Sequence, residues 1–218
     1  ISMERCRLMR QPRSMWSLET FGRQRLSKHF YMRDFMYSEI NGFHGVQNVP
    51  MQPDLVLENG RQFCTQLLDP LEETFGRIAV RSGYRSPELN AYGNKHNLNC
   101  ARNDNPIECH IWDLNAGDQA VAGATVVVPW FADQYDQGRD WQDLSWWVHD
   151  HMPYSEMWFF PKLAAFNLVW RPKPQRTISS YIAPRGMLLR SGEEPSETLI
   201  QRRQKYEDFP VFRGIAYP

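Results

Sequence analysis

A short polar run near the middle of the chain carries the side chain best suited to bind an anion. Residues 81–87 read Arg-Ser-Gly-Tyr-Arg-Ser-Pro, and Asn90 follows. The guanidinium of Arg85 is planar and always charged, so it can polarise a carbonyl group or hold a terminal carboxylate. Gly83 permits a tight backbone path beside it. The residues alone leave open the alternative that Arg85 pairs with a carboxylate on the protein surface.

A second segment carries side chains of types that can bind zinc. His110, Asp113 and Asp118 follow one another closely in the sequence. A catalytic zinc needs three protein ligands, an open position for water and a carboxylate that acts as general base. No histidine follows His151, so a complete zinc site would require an unusual ligand set.

Several motifs occur together in the order expected of one enzyme family. Residues 26–30 read Leu-Ser-Lys-His-Phe, residues 48–50 read Asn-Val-Pro, and residues 68–71 read Leu-Asp-Pro-Leu. The Ser-Gly-Tyr-Arg-Ser turn then follows at residues 82–86. Over roughly residues 26–128 the chain resembles the peptidase M15 family, which comprises zinc D-Ala-D-Ala carboxypeptidases and related peptidoglycan endopeptidases.

The resemblance implies roles for the residues of the turn. Arg85 would be the arginine that binds the substrate and stabilises the transition state, with Ser82 and Tyr84 beside it in the substrate-binding turn. The substrate implied is a peptidoglycan stem peptide. The compartment implied is the periplasm or cell envelope, or a phage virion.

The resemblance also implies a zinc cofactor and an assignment of its ligands. In the family pattern His-x-x-Gly-x-Ala-x-Asp, His110 fits the first ligand, and Asp118 fits the aspartate if one extra residue is allowed. Asp113 stands near the place of the missing glycine and is the other carboxylate candidate. Glu156 would activate the attacking water.

Two positions depart from the family pattern and support a second interpretation. An alternative alignment places residues 123–127 on the Gly-x-Ala-x-Asp strand, which puts Val127 at the aspartate. The later strand has Asn167 or Arg171 where the family has its second histidine, and arginine stays protonated and does not ligate zinc. The chain would then be a catalytically inactive scaffold that serves as a structural or binding subunit of a cell-envelope, phage or membrane assembly.

The elements that would position these residues follow from the apolar pattern. Apolar spacing predicts a helix from Pro53 to Phe75, kinked at Pro70. The remaining segments predict an α+β fold, a small and mainly antiparallel sheet packed against helices. Predicted helices lie at residues 87–92 and 140–151, and predicted strands at residues 78–81, 107–112, 124–128, 158–160, 166–170 and 178–182.

The composition of the chain limits the classes of partner that it could bind. Twenty-five basic residues balance 25 acidic residues, which argues against a nucleic-acid binder that relies on bulk charge. The sequence has no apolar run long enough to predict a transmembrane helix.

We expect residues 26–190 to form the M15-like domain between a basic arm, residues 1–25, and an extension, residues 191–218. These two ends would dock on a protein partner, the extension through Phe209, Phe212 and Tyr217.

Cys100 and Cys109 bracket a polar loop. They predict either a disulfide that fixes the loop or two reduced thiols, and the sequence does not decide between the two.

Overall fold

The computed structural model describes residues 9–213, and these residues form an α+β fold built on one mixed six-stranded sheet. The strand order is β1-β2-β4-β3-β5-β6, and all neighbouring strands are antiparallel except β3 and β5, which are parallel. The α+β prediction is confirmed at this level. The strands are β1 (Ala79–Ser82), β2 (Ala122–Val127), β3 (Glu156–Phe159), β4 (Phe166–Trp170), β5 (Thr177–Ser180) and β6 (Gly186–Leu189).

Helices pack against the sheet and bury an aromatic core. The fully buried side chains include Phe63, Trp112, Trp147 and Phe166, and rings of this size contribute much of the apolar area removed from water. The helices are α1 (Met15–Gly22), α2 (Glu39–His44), α3 (Pro53–Phe63), α4 (Asp69–Phe75), α5 (Pro87–Lys95), α6 (Pro129–Asp136), α7 (Trp141–His151) and α8 (Leu199–Lys205). Short 3-10 turns occupy Met32–Phe35, Gly117–Gln119 and Lys162–Ala164.

The predicted helix from Pro53 to Phe75 is interrupted by a π-helical turn. Cys64–Leu68 separates α3 from α4, and the Asp69 N–H donates to the Cys64 carbonyl, five residues earlier. Pro70 has no N–H and cannot continue the regular pattern of hydrogen bonds. The wider π turn lies just before it, and the helical residues run without a break from Pro53 to Phe75.

The prediction of a strand at residues 107–112 is wrong, because this segment has an irregular backbone. Its polar groups bond to other partners: the His110 N–H donates to Glu108 Oε1 at 2.8 Å, and the His110 carbonyl accepts from the Arg85 N–H at 2.8 Å. Ile111 and Trp112 are buried individually rather than as one face of a strand.

Both predicted terminal regions contain helices. The arm includes α1, which begins at the N-cap Ser14 and buries Phe21. In the extension, α8 precedes Phe209, which packs against Phe75 and Trp130 with ring centroids 5.8 and 5.1 Å apart. The structure therefore packs Phe209 into the domain rather than leaving it exposed for a partner.

Phe212 also contacts the domain, with its ring 5.7 Å from that of Trp147. Tyr217 and residues 1–8 lie outside the described residues. Among residues 9–213 no helix has both the length and the apolar composition needed to cross a bilayer.

Candidate functional site

A cleft of about 1100 Å³ opens over one face of the sheet, between α2 and the strands β1, β2, β3 and β4. Ser82, Arg85 and His110 line one part of it, and Asn167 and Trp158 line another. The structure thus brings together the arginine of the predicted turn and the first predicted zinc ligand.

The turn that carries Arg85 is held by a buried asparagine. Asn48 Nδ2 donates to the carbonyls of Met36 and Tyr84, at 3.0 and 2.9 Å, and Asn48 Oδ1 accepts from the Ser86 N–H at 2.7 Å. The Asn48 side chain therefore fixes the backbone of the residues immediately before and after Arg85. This explains why the Asn-Val-Pro segment and the Ser-Gly-Tyr-Arg-Ser segment occur together.

Tyr84 and Asp113 support the turn from beneath and do not line the cleft. Tyr84 is fully buried, and its hydroxyl donates to Asp113 Oδ2 at 3.1 Å. The same carboxylate oxygen accepts from the N–H groups of Met51 and Gln52. Burial raises the pKa of Asp113, and these hydrogen bonds oppose that shift. Tyr84 therefore positions the turn instead of contacting a ligand, and Asp113 is committed to the same network.

The hydrogen-bond partners of the Arg85 side chain are all neutral. Its Nη1 donates to Asn90 Oδ1 at 2.8 Å and lies 3.1 Å from Cys100 Sγ, and its Nη2 is 3.4 Å from Ser82 Oγ. Among residues 9–213 no carboxylate lies within ion-pair distance of Arg85. The alternative of a surface ion pair is thus not observed, and a permanent positive charge faces the cleft.

His110 is buried, with 5% of its surface exposed, and its ring orientation is fixed. Nδ1 lies 2.8 Å from the Gly83 carbonyl. A carbonyl oxygen only accepts, so the ring hydrogen is on Nδ1 and Nε2 carries a lone pair. Burial, and then the charge of Arg85, lower the pKa of His110 well below its usual value. The imidazole is therefore neutral at pH 7.

Glu108 is a cleft residue that the sequence reasoning missed. It is buried, it lines the cleft, and its Oε1 accepts from the His110 N–H. Burial raises the pKa of Glu108, while the nearby Arg85 lowers it. The sequence signal that could have identified Glu108 as a cleft residue is its position two residues before His110.

The two remaining predicted site residues lie outside the cleft. Asp118 is exposed on the Gly117–Gln119 turn and pairs with Lys173. Glu156, at the start of β3, pairs with Arg171 Nε at 2.8 Å. The structure does not bring His110, Asp118 and Glu156 together.

A zinc site requires three protein ligands grouped around the ion. Within residues 9–213 no three His, Cys, Asp or Glu side chains are grouped so that they could hold a metal ion. His110 offers one nitrogen, and the other cleft residues of ligand type, among them Glu108, Cys100 and Cys109, do not complete a group of three with it in the described part of the chain. These residues do not fit the three-ligand site that the resemblance implies.

Cys100 and Cys109 are free thiols in the structure, and both line the cleft. Burial raises the pKa of each, although Arg85 opposes the shift. Neither thiol is therefore activated as a thiolate nucleophile.

The lowered histidine pKa values predict a loss of stability in acid. His149 Nδ1 lies 2.8 Å from the Tyr154 hydroxyl, and burial lowers the pKa of His149 to about 4. An unfolded histidine has a pKa of about 6.5, so as the pH falls from 6.5 towards 4 the unfolded chain takes up this proton more readily than the folded one does. The free energy of unfolding therefore decreases as the pH falls through this range. We expect His149→Asn, which can still accept from Tyr154, to show a smaller fall than the wild type between pH 6.5 and 5. Urea unfolding across that range tests this, and equal slopes would contradict it.

Comparisons with known proteins give no relative: no protein-family model, no curated protein and no solved structure matches this chain. The M15 resemblance therefore stays a prediction from the motifs.

Proposed function

We propose that this chain is an M15-like domain that binds a peptide ending in a free carboxylate, such as a peptidoglycan stem peptide, without hydrolysing it. It would then be a binding subunit of a larger assembly. The observation that carries the proposal is the environment of Arg85, a charged group that faces the cleft, has only neutral hydrogen-bond partners and forms no ion pair within the described residues.

The arrangement around Arg85 suits a carboxylate ligand. A guanidinium binds a carboxylate through two parallel hydrogen bonds, which are stronger than bonds between neutral groups. Asn48 and Asn90 hold the turn and the guanidinium in place, so little conformational freedom is lost on binding. His110, neutral beside this charge, adds a hydrogen-bond acceptor without repelling the arginine.

The test is a titration with N-acetyl-Lys-D-Ala-D-Ala and with the same peptide carrying a C-terminal amide. Loss of a charge-assisted hydrogen bond costs about 1.5–3 kcal/mol, so we expect the amide to bind roughly 10- to 100-fold more weakly. Arg85→Gln should weaken the free acid to a similar extent. Arg61→Gln is the matched control, because Arg61 is exposed on α3. Equal affinity for acid and amide, or no binding of either, would overturn the proposal.

Zinc-dependent hydrolysis of the same peptide is the second candidate. The observation that favours it is the lone pair on His110 Nε2, since a ligating histidine commonly donates its other N–H to a backbone carbonyl. Elemental analysis and release of D-alanine distinguish the two functions. Stoichiometric zinc and turnover, both lost in His110→Ala, would replace the binding proposal with the enzymatic one.

A further inference from the structure

One row of side chains crosses the floor of the cleft from strand to strand. The register pairs Ser82 with Thr125, and Thr125 with Asn167. It then pairs Asn167 with Trp158. All four residues line the cleft. Neighbouring strands are about 4.8 Å apart, so Ser82 and Trp158 are separated by about 14 Å across the sheet.

The polar members of this row are neutral hydrogen-bonding groups. Thr125 Oγ1 donates to Asn167 Oδ1 at 2.6 Å, which fixes the amide with Nδ2 as its remaining donor. Among residues 9–213 no group accepts from that Nδ2. Arg85 contacts the row at the Ser82 end, with Nη2 3.4 Å from Ser82 Oγ. The charged group is therefore at one end, and the floor beyond it is neutral.

The opposite end of the row is aromatic. The rings of Trp158 and Tyr181 lie 5.2 Å apart at 31°, and Phe160 lies 5.8 Å from Tyr181. Tyr181 is half exposed, and all three rings line the cleft. Trp158 Nε1 is buried and lacks a hydrogen-bond partner within the described part of the chain.

We propose that this aromatic end binds the pyranose rings of a neutral glycan. A sugar ring presents an apolar C–H face that stacks on an aromatic ring, and hydroxyl groups that need neutral donors and acceptors. The Tyr181 end supplies the first, and the free Nδ2 donor of Asn167 supplies the second. The proposal rests on the proposed function and deepens it: a ligand with a carboxylate at Arg85 and a sugar at the far end of the row is a glycopeptide.

The charges of the cleft favour a glycan over a nucleic acid strand. A strand needs cations along its phosphates. Three cationic side chains line the cleft, namely Arg81, Arg85 and Lys162. Two carboxylates, Glu39 and Glu108, balance this charge in part.

The experiment titrates the protein with cellotetraose and with chitotetraose, the N-acetylated counterpart. At least one should bind, and Tyr181→Ala should weaken it by about tenfold because a stacking surface is lost. Trp158→Phe keeps an aromatic ring in β3 but presents a smaller ring to the sugar, so it should fold and also bind the sugar more weakly. Tyr31→Ala is the matched control, since Tyr31 is similarly exposed and lies outside the cleft.

The outcomes separate this proposal from the proposed function. Tyr181→Ala should leave the affinity for N-acetyl-Lys-D-Ala-D-Ala unchanged, because that ligand is assigned to Arg85. If neither sugar binds, or if Tyr181→Ala binds the sugar as the wild type does, the glycan site is overturned while peptide binding can stand. If a sugar binds as described and the peptide does not bind, the glycan site stands and the carboxylate site falls.

Discussion

The Gly83→Ala variant is expected to lose about 3 kcal/mol or more of unfolding free energy, because the added methyl group collides with backbone. A Cβ at this position would lie 2.6 Å from both the Cα and the carbonyl oxygen of Phe35. Phe35 is fully buried at the end of the Met32–Phe35 turn, so it cannot move aside cheaply. Urea unfolding of the variant measures the loss.

The same substitution at Gly42 is the control. Gly42 lies within α2, and a Cβ there would meet no atom within 4 Å. Alanine is the better helix former, so Gly42→Ala should gain about 0.5–1 kcal/mol. If the two variants had similar stability, the close approach of Phe35 to Gly83 would not be the reason for glycine in the turn.

The sequence reasoning attributed Gly83 to a tight backbone path, and the structure shows the physical form of that requirement. The constraint is contact with a segment almost 50 residues earlier, which no local pattern reveals. Elements that depend on local patterns were predicted better. The strand Phe166–Trp170 has the predicted bounds, because a short apolar run before a proline identifies it.

Other helices were missed although their signals were present. Thr198 caps α8 and forms a capping box with Gln201, and this Thr-x-x-Gln spacing is a known signal of a helix start. Ser14 and Ser17 form a similar box at α1. These helices have short apolar faces, so the periodicity on which the prediction relied was weak.

The candidate site was predictable only where its residues are neighbours in the sequence. The resemblance to the M15 family pointed to Arg85 and His110, and both line the cleft. The zinc assignment also relied on the linear pattern of that family, but the chain after His110 is irregular and carries Asp118 away to the surface. Asn167 and Trp158 come from separate strands, and only strand register places them beside the turn.

Removing the carboxylate of Asp69 should also destabilise the fold strongly. Asp69 is buried with 1% of its surface exposed. It accepts from the Ser27 hydroxyl at 2.8 Å and from the N–H groups of Lys28 and His29 at 3.1 and 3.3 Å. One side chain of α4 thus binds three donors of the Leu-Ser-Lys-His-Phe segment, and this explains why that motif and Leu-Asp-Pro-Leu occur together.

We expect Asp69→Ala to lose about 2–4 kcal/mol, since hydrogen bonds to a charged group contribute about 1.5–3 kcal/mol each and water can replace part of the set at the half-buried loop. Asp69→Asn should lose less, because its amide oxygen still accepts. Asp118→Ala provides the matched surface change and should stay within about 0.5 kcal/mol of the wild type. A loss at Asp69 no larger than at Asp118 would mean that the loop is held by the packing of Leu26 and Phe30 instead, since both are buried beside it.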